Sequence, residues 1–467
     1  MIPDHNKPYR VGAAQWPLTL AQQPFFLDLM SNIQYFGAVG DGVTDDTDAI
    51  VHAIENGDGH LKLPAGTYRI TRTLEINLGD NGPLGITGAA GATTIVMDGP
   101  GPAIRLIGSH SGTGDPNSRN QSVIDSERMP IIADLKITGT HKEADGIECL
   151  ETMQIVLRSV LITQVRHGVH LTKRNRNVII THCHIYFNTG VGIYLNSLNL
   201  HQINISDNHI SYNRQSGIRI EQSEIRNLQI TGNDIEYNNF RAHNAAEEPT
   251  AEIYIDTTAE QASVNEVTIA SNTIQATNSK DGANIRIIEN PNESRPPGLF
   301  AITGNIIGSQ ENNVYLTGCY GMVISGNTIY SAIERNLRLE QCAQLTIGSN
   351  VFRRHTPSYG CGVLLNQCKN ILFSGCTFED EADGGQESGF PLLEIQQSQF
   401  VTISGNQIIN SVKAGIMVTD SSQLNINGNT ISDTRHAPLM RQAVSLSGTC
   451  ADVEMTGNLV SGISDTK

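Results

Sequence analysis

Three acidic residues, Glu221, Glu252 and Asp256, stand in two short runs, Gly217-Ile-Arg-Ile-Glu221 and Glu252-Ile-Tyr-Ile-Asp256, in which apolar and polar residues alternate. Alternation sends the isoleucines to one side of an extended chain and Arg219, Glu221, Glu252, Tyr254 and Asp256 to the other. If the two runs lie side by side in a sheet, carboxyls on neighbouring strands come within about 5 Å of each other. That separation couples their titrations and fits the nucleophile and general acid of a retaining glycosidase. A stripe of carboxylates paired with Arg219 and Arg286 for stability is the competing reading of the same residues.

What must bring the runs together is a repeat. An apolar-x-apolar triplet recurs as Ile147-Glu148-Cys149, Val169-His170-Leu171, Ile193-Tyr194-Leu195, Ile218-Arg219-Ile220 and Ile253-Tyr254-Ile255, then onward to Val444-Ser445-Leu446, at spacings of 22 to 35 residues. A second register agrees with it: Asn208, Asn233, Asn272, Asn305, Asn327, Asn350, Asn406, Asn429 and Asn458 each follow a run of the same kind. A unit near 23 residues is too short for a helix pair and lacks the frame of a leucine-rich repeat. Coils of three short strands fit, stacked so that the apolar alternates make a continuous interior and the asparagines form hydrogen-bonded ladders. The expectation is an all-β fold, a single-stranded parallel β-helix of about 12 coils rising ~4.8 Å each.

The middle residue of each triplet then faces outward, in a column of Glu148, His170, Tyr194, Arg219, Tyr254, Arg286, Tyr315 and Arg338, followed by Leu364, Glu394, Met417 and Ser445. Tyrosine, histidine and arginine in a row suit sugar rings, offering faces for stacking and donors for hydroxyl or carboxylate groups. The candidate substrate-binding residues are Glu148, His170, Tyr194, Arg219, Tyr254 and Arg286. A second outward column, two residues further on, reads Thr172, Asn196, Glu221, Asp256, Ile288, Thr317 and Glu340. Glu221 and Asp256 are the candidate catalytic pair, with Glu252 as substitute.

Long insertions at Gly108 to Pro130 and at Asn238 to Ala251 fall on opposite edges of this column and are placed to wall a cleft. They hold reserve candidates Asp115, Glu127, Arg128, His243, Glu247 and Glu248, with Asp145 nearby in Glu143-Ala-Asp-Gly. Lys173-Arg174-Asn-Arg176 is a basic patch, read as a solvated turn before an anion site. His182 and His184 flank Cys183, a spacing more often plain surface than metal site, and neither metal nor cofactor is expected.

A net charge of −16 argues against nucleic acid and anionic membranes as partners, and no apolar run approaches the ~18 residues of a membrane span. Glycine numbers 44 and aromatics are 5%, a profile of short strands and many turns. Met1 to Gln23 lacks the basic-then-apolar pattern of a signal peptide, so the chain as given is expected in the cytoplasm, or outside it if a leader was trimmed. Cys319, Cys342 and Cys368 fall at one repeat position, which favours stacked, reduced thiols over a disulfide framework.

Residues 1–35 show no clear period and are expected to pack on the rod formed by residues 36–467, of which 36–70 make the cap and first coil. In Phe36-Gly-Ala-Val-Gly40-Asp-Gly-Val-Thr-Asp45-Asp-Thr-Asp-Ala-Ile50, Thr44 is the expected cap of a helix burying Ala49, Ile50, Ala53 and Ile54. Two strands around Pro64-Ala-Gly follow. This opening resembles the N-terminal signature of the pectate-lyase-like superfamily of right-handed parallel β-helix proteins, which includes polygalacturonases, epimerases and phage tailspikes. The resemblance implies right-handed coils, an N-terminal capping helix and a homotrimer as the assembly common among relatives, and says little about activity; the poly- or oligosaccharide substrate is the expectation from the outward column. The motif sets of polygalacturonases and mannuronan epimerases are missing; the nearest string to the latter is Asp115-Pro116-Asn117. The expectation is therefore a glycoside hydrolase using paired carboxylates. A lyase in which Arg219 or Tyr254 takes the proton, and a non-catalytic glycan-binding or tailspike-like protein, are the alternatives.

Overall fold

The structure, a computed structural model, describes residues 31–463 apart from 113–114, 119, 239–250, 277–278, 290–297, 356–358 and 381–388. The expected packing of residues 1–35 on the rod falls for residues 1–30 outside the described residues. Each turn is made of three strands, as in Ser216–Glu221, Glu224–Thr231 and Asp234–Glu236. Each strand pairs in parallel with its equivalent one turn on, Ile218 with Ile253, Leu228 with Val267 and Ile235 with Ile274. Such turns number about 15 rather than the expected 12. Part of the difference lies ahead of residue 130, where Leu74–Asn77 and Gly101–Ile107 already form rungs of the triplet sheet.

The alternating isoleucines are the reason the turns stack. Ile218, Ile220, Ile253 and Ile255 are fully buried in one interior that runs the length of the rod, and each such side chain contributes about 1.5–3 kcal/mol on leaving water. The corners carry the asparagine ladder. The backbone N–H and the Nδ2 of Asn208 donate to Oδ1 of Asn233, both at 3.0 Å, and Asn233, Asn272, Asn305 and Asn327 repeat the pattern toward Asn350. Cys376 interrupts the ladder once, after which Asn406, Asn429 and Asn458 resume it. A second ladder, Asn188 to Asn213 to Asn238, serves the corner ahead of the triplet strands. No disulfide joins any of the eight cysteines, and Cys319, Cys342 and Cys368 are buried with their thiols on main-chain carbonyls.

The N-terminal end is closed by the helix Thr47–Asn56, which buries Ile50, Ala53 and Ile54. Its N-cap is Asp46 rather than Thr44, because Thr44 is bound into a tighter turn by Asp41, whose carboxylate accepts from the Val43 and Thr44 amides. Asp46 itself is buried and accepts from the amides of Val39 and Gly40 at 2.6 and 3.1 Å. The acidic residues of this opening therefore hold the turn and the helix start.

One interior acid gives the rod a pH dependence. Glu289, 1% exposed beside the triplet sheet, has its carboxyl pushed up to about 9 by burial. Between its ordinary value of 4.5 and about 9 the folded chain keeps a proton that the unfolded chain releases. Stability therefore falls as pH rises through that window, by at most about 1.4 kcal/mol per pH unit. Glu289→Gln is expected to flatten this slope and raise the melting temperature at pH 8 more than at pH 5, as thermal denaturation followed by circular dichroism would show.

Candidate functional site

The outward column read from the triplets is a ladder of paired residues in the structure. Glu148, His170, Tyr194, Arg219, Tyr254, Arg286, Tyr315, Arg338, Leu364, Glu394, Met417 and Ser445 are successive register partners. The second column is likewise continuous as Asn196, Glu221, Asp256, Ile288, Thr317 and Glu340. Thr172 departs from it, pairing with Leu150 where the register shifts after Leu171.

Glu221 and Asp256 therefore stand on adjacent turns, ~4.8 Å apart along the rod. The Tyr194 hydroxyl donates to Glu221 Oε1, and the Arg219 Nε and Nη2 lie 3.0 and 2.9 Å from Oε2. Asp256 takes neutral donors: the Thr258 amide and hydroxyl on Oδ1 at 2.9 and 2.7 Å, and the Tyr254 hydroxyl on Oδ2 at 3.2 Å. Burial, and then the hydrogen bond to Glu221, push the Tyr194 phenol above its ordinary range. Burial together with the Asp256 carboxylate pushes Tyr254 up to about 12. Both phenols remain neutral donors at physiological pH.

Glu252 does not face solvent with Tyr254, as strict alternation requires. It is 1% exposed, and its Oε2 accepts from the Asn238 amide and Nδ2 at 3.1 and 2.6 Å, ending the second asparagine ladder. Within the strand Ala251–Asp256, Ala251 packs with Tyr254 in a small cluster separate from the main interior, while Glu252 is buried against Asn238. Burial pushes its carboxyl well above the usual range. Glu252 is a scaffold acid, not a substitute catalyst.

The expectation that the column presents aromatic faces is also corrected. Rungs one turn apart cover each other in part: the His167 and His170 rings, 6.3 Å apart, both stack on Tyr194 at 5.0 and 5.2 Å, and the Arg219 guanidinium lies 4.5 Å over the Tyr254 ring. Arg286 and Arg338 lie 4.7 and 4.5 Å from the centre of Tyr315. What remains for a ligand is edges, hydroxyls and guanidinium N–H groups. His167 precedes the strand Val169–Thr181 at a corner, where no alternation announces it; burial pushes its imidazole down to about 4. Upstream, the hydrogen bond from His170, at 3.3 Å, joins Arg105 in holding the Glu148 carboxyl down to about 2 against burial. Arg105 also reaches Glu75 at 2.7 Å, so the column begins earlier than the triplets alone revealed.

The reserve candidates serve the scaffold or lie elsewhere. Glu127 is buried and accepts from the Ser109 amide at 2.8 Å, Asp145 is gripped by Arg166 at 2.9 and 2.6 Å, and Asp115 and Arg128 are exposed. Arg174 of the basic patch donates to the carbonyl of Gly112 at 2.7 Å and so ties the first insertion to the rod. His243, Glu247 and Glu248 fall outside the described residues. Among the described residues, His209, Asp234 and Glu236 are the group whose possible cation-ligating atoms lie within 4.8 Å of one another. They occupy the strand face of His209–Ser211 and Asp234–Glu236, apart from Glu221 and Asp256.

Fold and site geometry define a parallel β-helix carrying a polar stripe on one of its three sheets. Residues 113–292 and 312–466 match the model of the right handed beta helix region, and the chain belongs to that family. No curated protein matches it by sequence. Among solved structures it is similar to the pre-mature gene product 12 of bacteriophage phi29, at 14% identity over 95% of this chain and 58% of that one, with a TM-score of 0.58. It is similar to a tailspike double mutant of the E. coli bacteriophage HK620 in complex with a pentasaccharide, at 11% identity, 92% and 81% coverage and a TM-score of 0.57. The A-module of the Azotobacter vinelandii mannuronan C-5 epimerase AlgE6 aligns at 16% identity over 92% of this chain and 98% of its own, with a TM-score of 0.47.

Proposed function

We propose that this protein is a carbohydrate-active β-helix that cleaves a glycosidic bond of a poly- or oligosaccharide laid along the polar stripe. The observation that carries the reading is the register pairing of Glu221 with Asp256. Two carboxyls about one turn apart match the ~5–5.5 Å separation of a retaining pair. Glu221, fixed by Arg219 and Tyr194, takes the anionic role and attacks the anomeric carbon. Asp256, whose partners are neutral, donates the proton to the leaving oxygen and then accepts one from water. Arg219, Tyr194, Tyr254, His170, Glu148 and Arg286 border the path of the chain. The pentasaccharide held by the HK620 tailspike on the same type of scaffold supports a glycan as the ligand class.

A second reading, non-catalytic glycan binding, has one observation in its favour: Glu221 and Asp256 already meet donors on all four oxygens. Incubation with a panel of polysaccharides separates the readings, with new reducing ends and the ultraviolet absorbance of unsaturated products followed together. The proposal expects reducing ends without unsaturation. Unsaturated products would mean β-elimination, and retention of glycan without either product would leave binding alone.

A further inference from the structure

The stripe contains four arginines, and three of them are neutralised. Arg105 meets Glu75 and Glu148, Arg219 meets Glu221, and Arg338 meets Glu340 and Glu334. Among the described residues Arg286 meets no carboxylate: its Nη1 donates to the main-chain carbonyl of Asp281 at 2.8 Å, and its Nε, itself buried, reaches no acceptor. The register explains the difference. In the adjoining outward column the positions run Glu221, Asp256, Ile288, Thr317, Glu340, so the two rungs at Arg286 and Tyr315 have an apolar residue and a hydroxyl where their neighbours have acids. Its side chain is nonetheless held, with the guanidinium carbon 4.7 Å over the centre of the Tyr315 ring. A held, planar guanidinium whose outer Nη edge keeps N–H groups beyond the one given to Asp281 is preorganised for a bidentate anion.

We infer that Arg286 is the subsite for an anionic sugar, one bearing a uronate-type carboxylate, one rung beyond Asp256. The inference rests on the reading of the stripe as a glycan path and adds the chemical class of one residue of the glycan. An acidic sugar placed there completes the charge pattern that the sequence Glu221, Asp256, Ile288, Thr317, Glu340 leaves open. A neutral glycan leaves the guanidinium facing only water.

The test is binding of polygalacturonate, alginate and hyaluronate, each against its carboxyl-reduced neutral twin and with dextran as a further neutral probe, by affinity electrophoresis of the full chain. The wild type is expected to bind at least one carboxylated polymer about 10- to 100-fold more tightly than its reduced twin. Arg286→Gln is expected to abolish that preference, and Arg286→Lys, which keeps the charge and loses the fork, to retain part of it. Equal binding of twins by the wild type, or a preference that survives Arg286→Gln, overturns the inference and leaves the glycan path standing. Binding of dextran or reduced polymers alone has the same meaning, whereas no binding to any probe removes the inference together with the glycan path.

Discussion

Glu221→Gln and Asp256→Asn each lower turnover of the cleaved polysaccharide by about 10²- to 10⁴-fold, the range expected for loss of one acid–base group. Both changes keep the shape and the hydrogen-bond acceptor, so Tyr194 still donates to position 221 and Thr258 to position 256. What is lost is the anion in one case and the transferable proton in the other. An internal control comes from the repeat itself. Tyr315, Glu340 and Arg338 reproduce the trio of Tyr194, Glu221 and Arg219, with the Tyr315 hydroxyl 2.9 Å from one Glu340 oxygen and Arg338 Nη2 2.7 Å from the other. Its neighbours in the column are Thr317 and Asn366, neither of them acidic. Glu340→Gln is therefore expected to leave turnover unchanged. Equal losses at positions 221 and 340 would show that such trios brace the sheet and that the pairing with Asp256 has no chemical role.

The second large effect is on stability. Asn305→Ala orphans the Asn272 amide, removes one of the two acceptors of Asn272 Nδ2, which keeps the Ile230 carbonyl at 2.9 Å, and leaves the Ile269 carbonyl without its Nδ2 donor; both donors of Asn272 reach Asn305 Oδ1 at 3.0 Å. All of these groups are buried, and each unsatisfied one costs about 1–3 kcal/mol, so a loss of several kcal/mol is expected. The comparison is with Gln341→Ala. Gln341 donates to Gln367 at 3.1 Å in an amide ladder that looks alike but lies on the surface. Water replaces that bond, and a change within about 0.5 kcal/mol is expected. Urea denaturation midpoints for the two variants measure the contrast, and equal midpoints would mean that the buried ladder is no more than decoration on the corner.

Much of this arrangement was legible in the residue order because the side-chain period of a strand is two and only one face of each strand is apolar. A slip of one residue would have turned every isoleucine outward, so the triplets had one workable register, and the structure keeps it from Glu148 to Ser445. Alternation stops carrying information at corners. Glu252 shares the parity of Tyr254 and Asp256, yet at the start of its strand it is buried and takes the end of the Asn188–Asn238 ladder. His167 lies at the corresponding corner of an earlier turn and joins the stack on Tyr194 without any periodic signal. The covered aromatic faces were also hidden, since the order of a column does not say that an arginine one turn away will lie over a tyrosine ring. The early rungs stayed outside the count for another reason: Ile104-Arg105-Leu106 reads as an early strand and Leu74-Glu75-Ile76 is a proper triplet, but both precede the asparagine register that made the later ones countable.

The account stands on Glu221 and Asp256 acting across one turn, and the stereochemistry of cleavage reports that distance. Proton NMR of the first product released from a susceptible oligosaccharide reads the anomer before it equilibrates. Carboxyls one turn apart predict that the newly formed anomer keeps the configuration of the bond that was cut. A product of inverted configuration would require a water between more widely spaced acids, and would contradict the pairing of Glu221 with Asp256 as the catalytic unit.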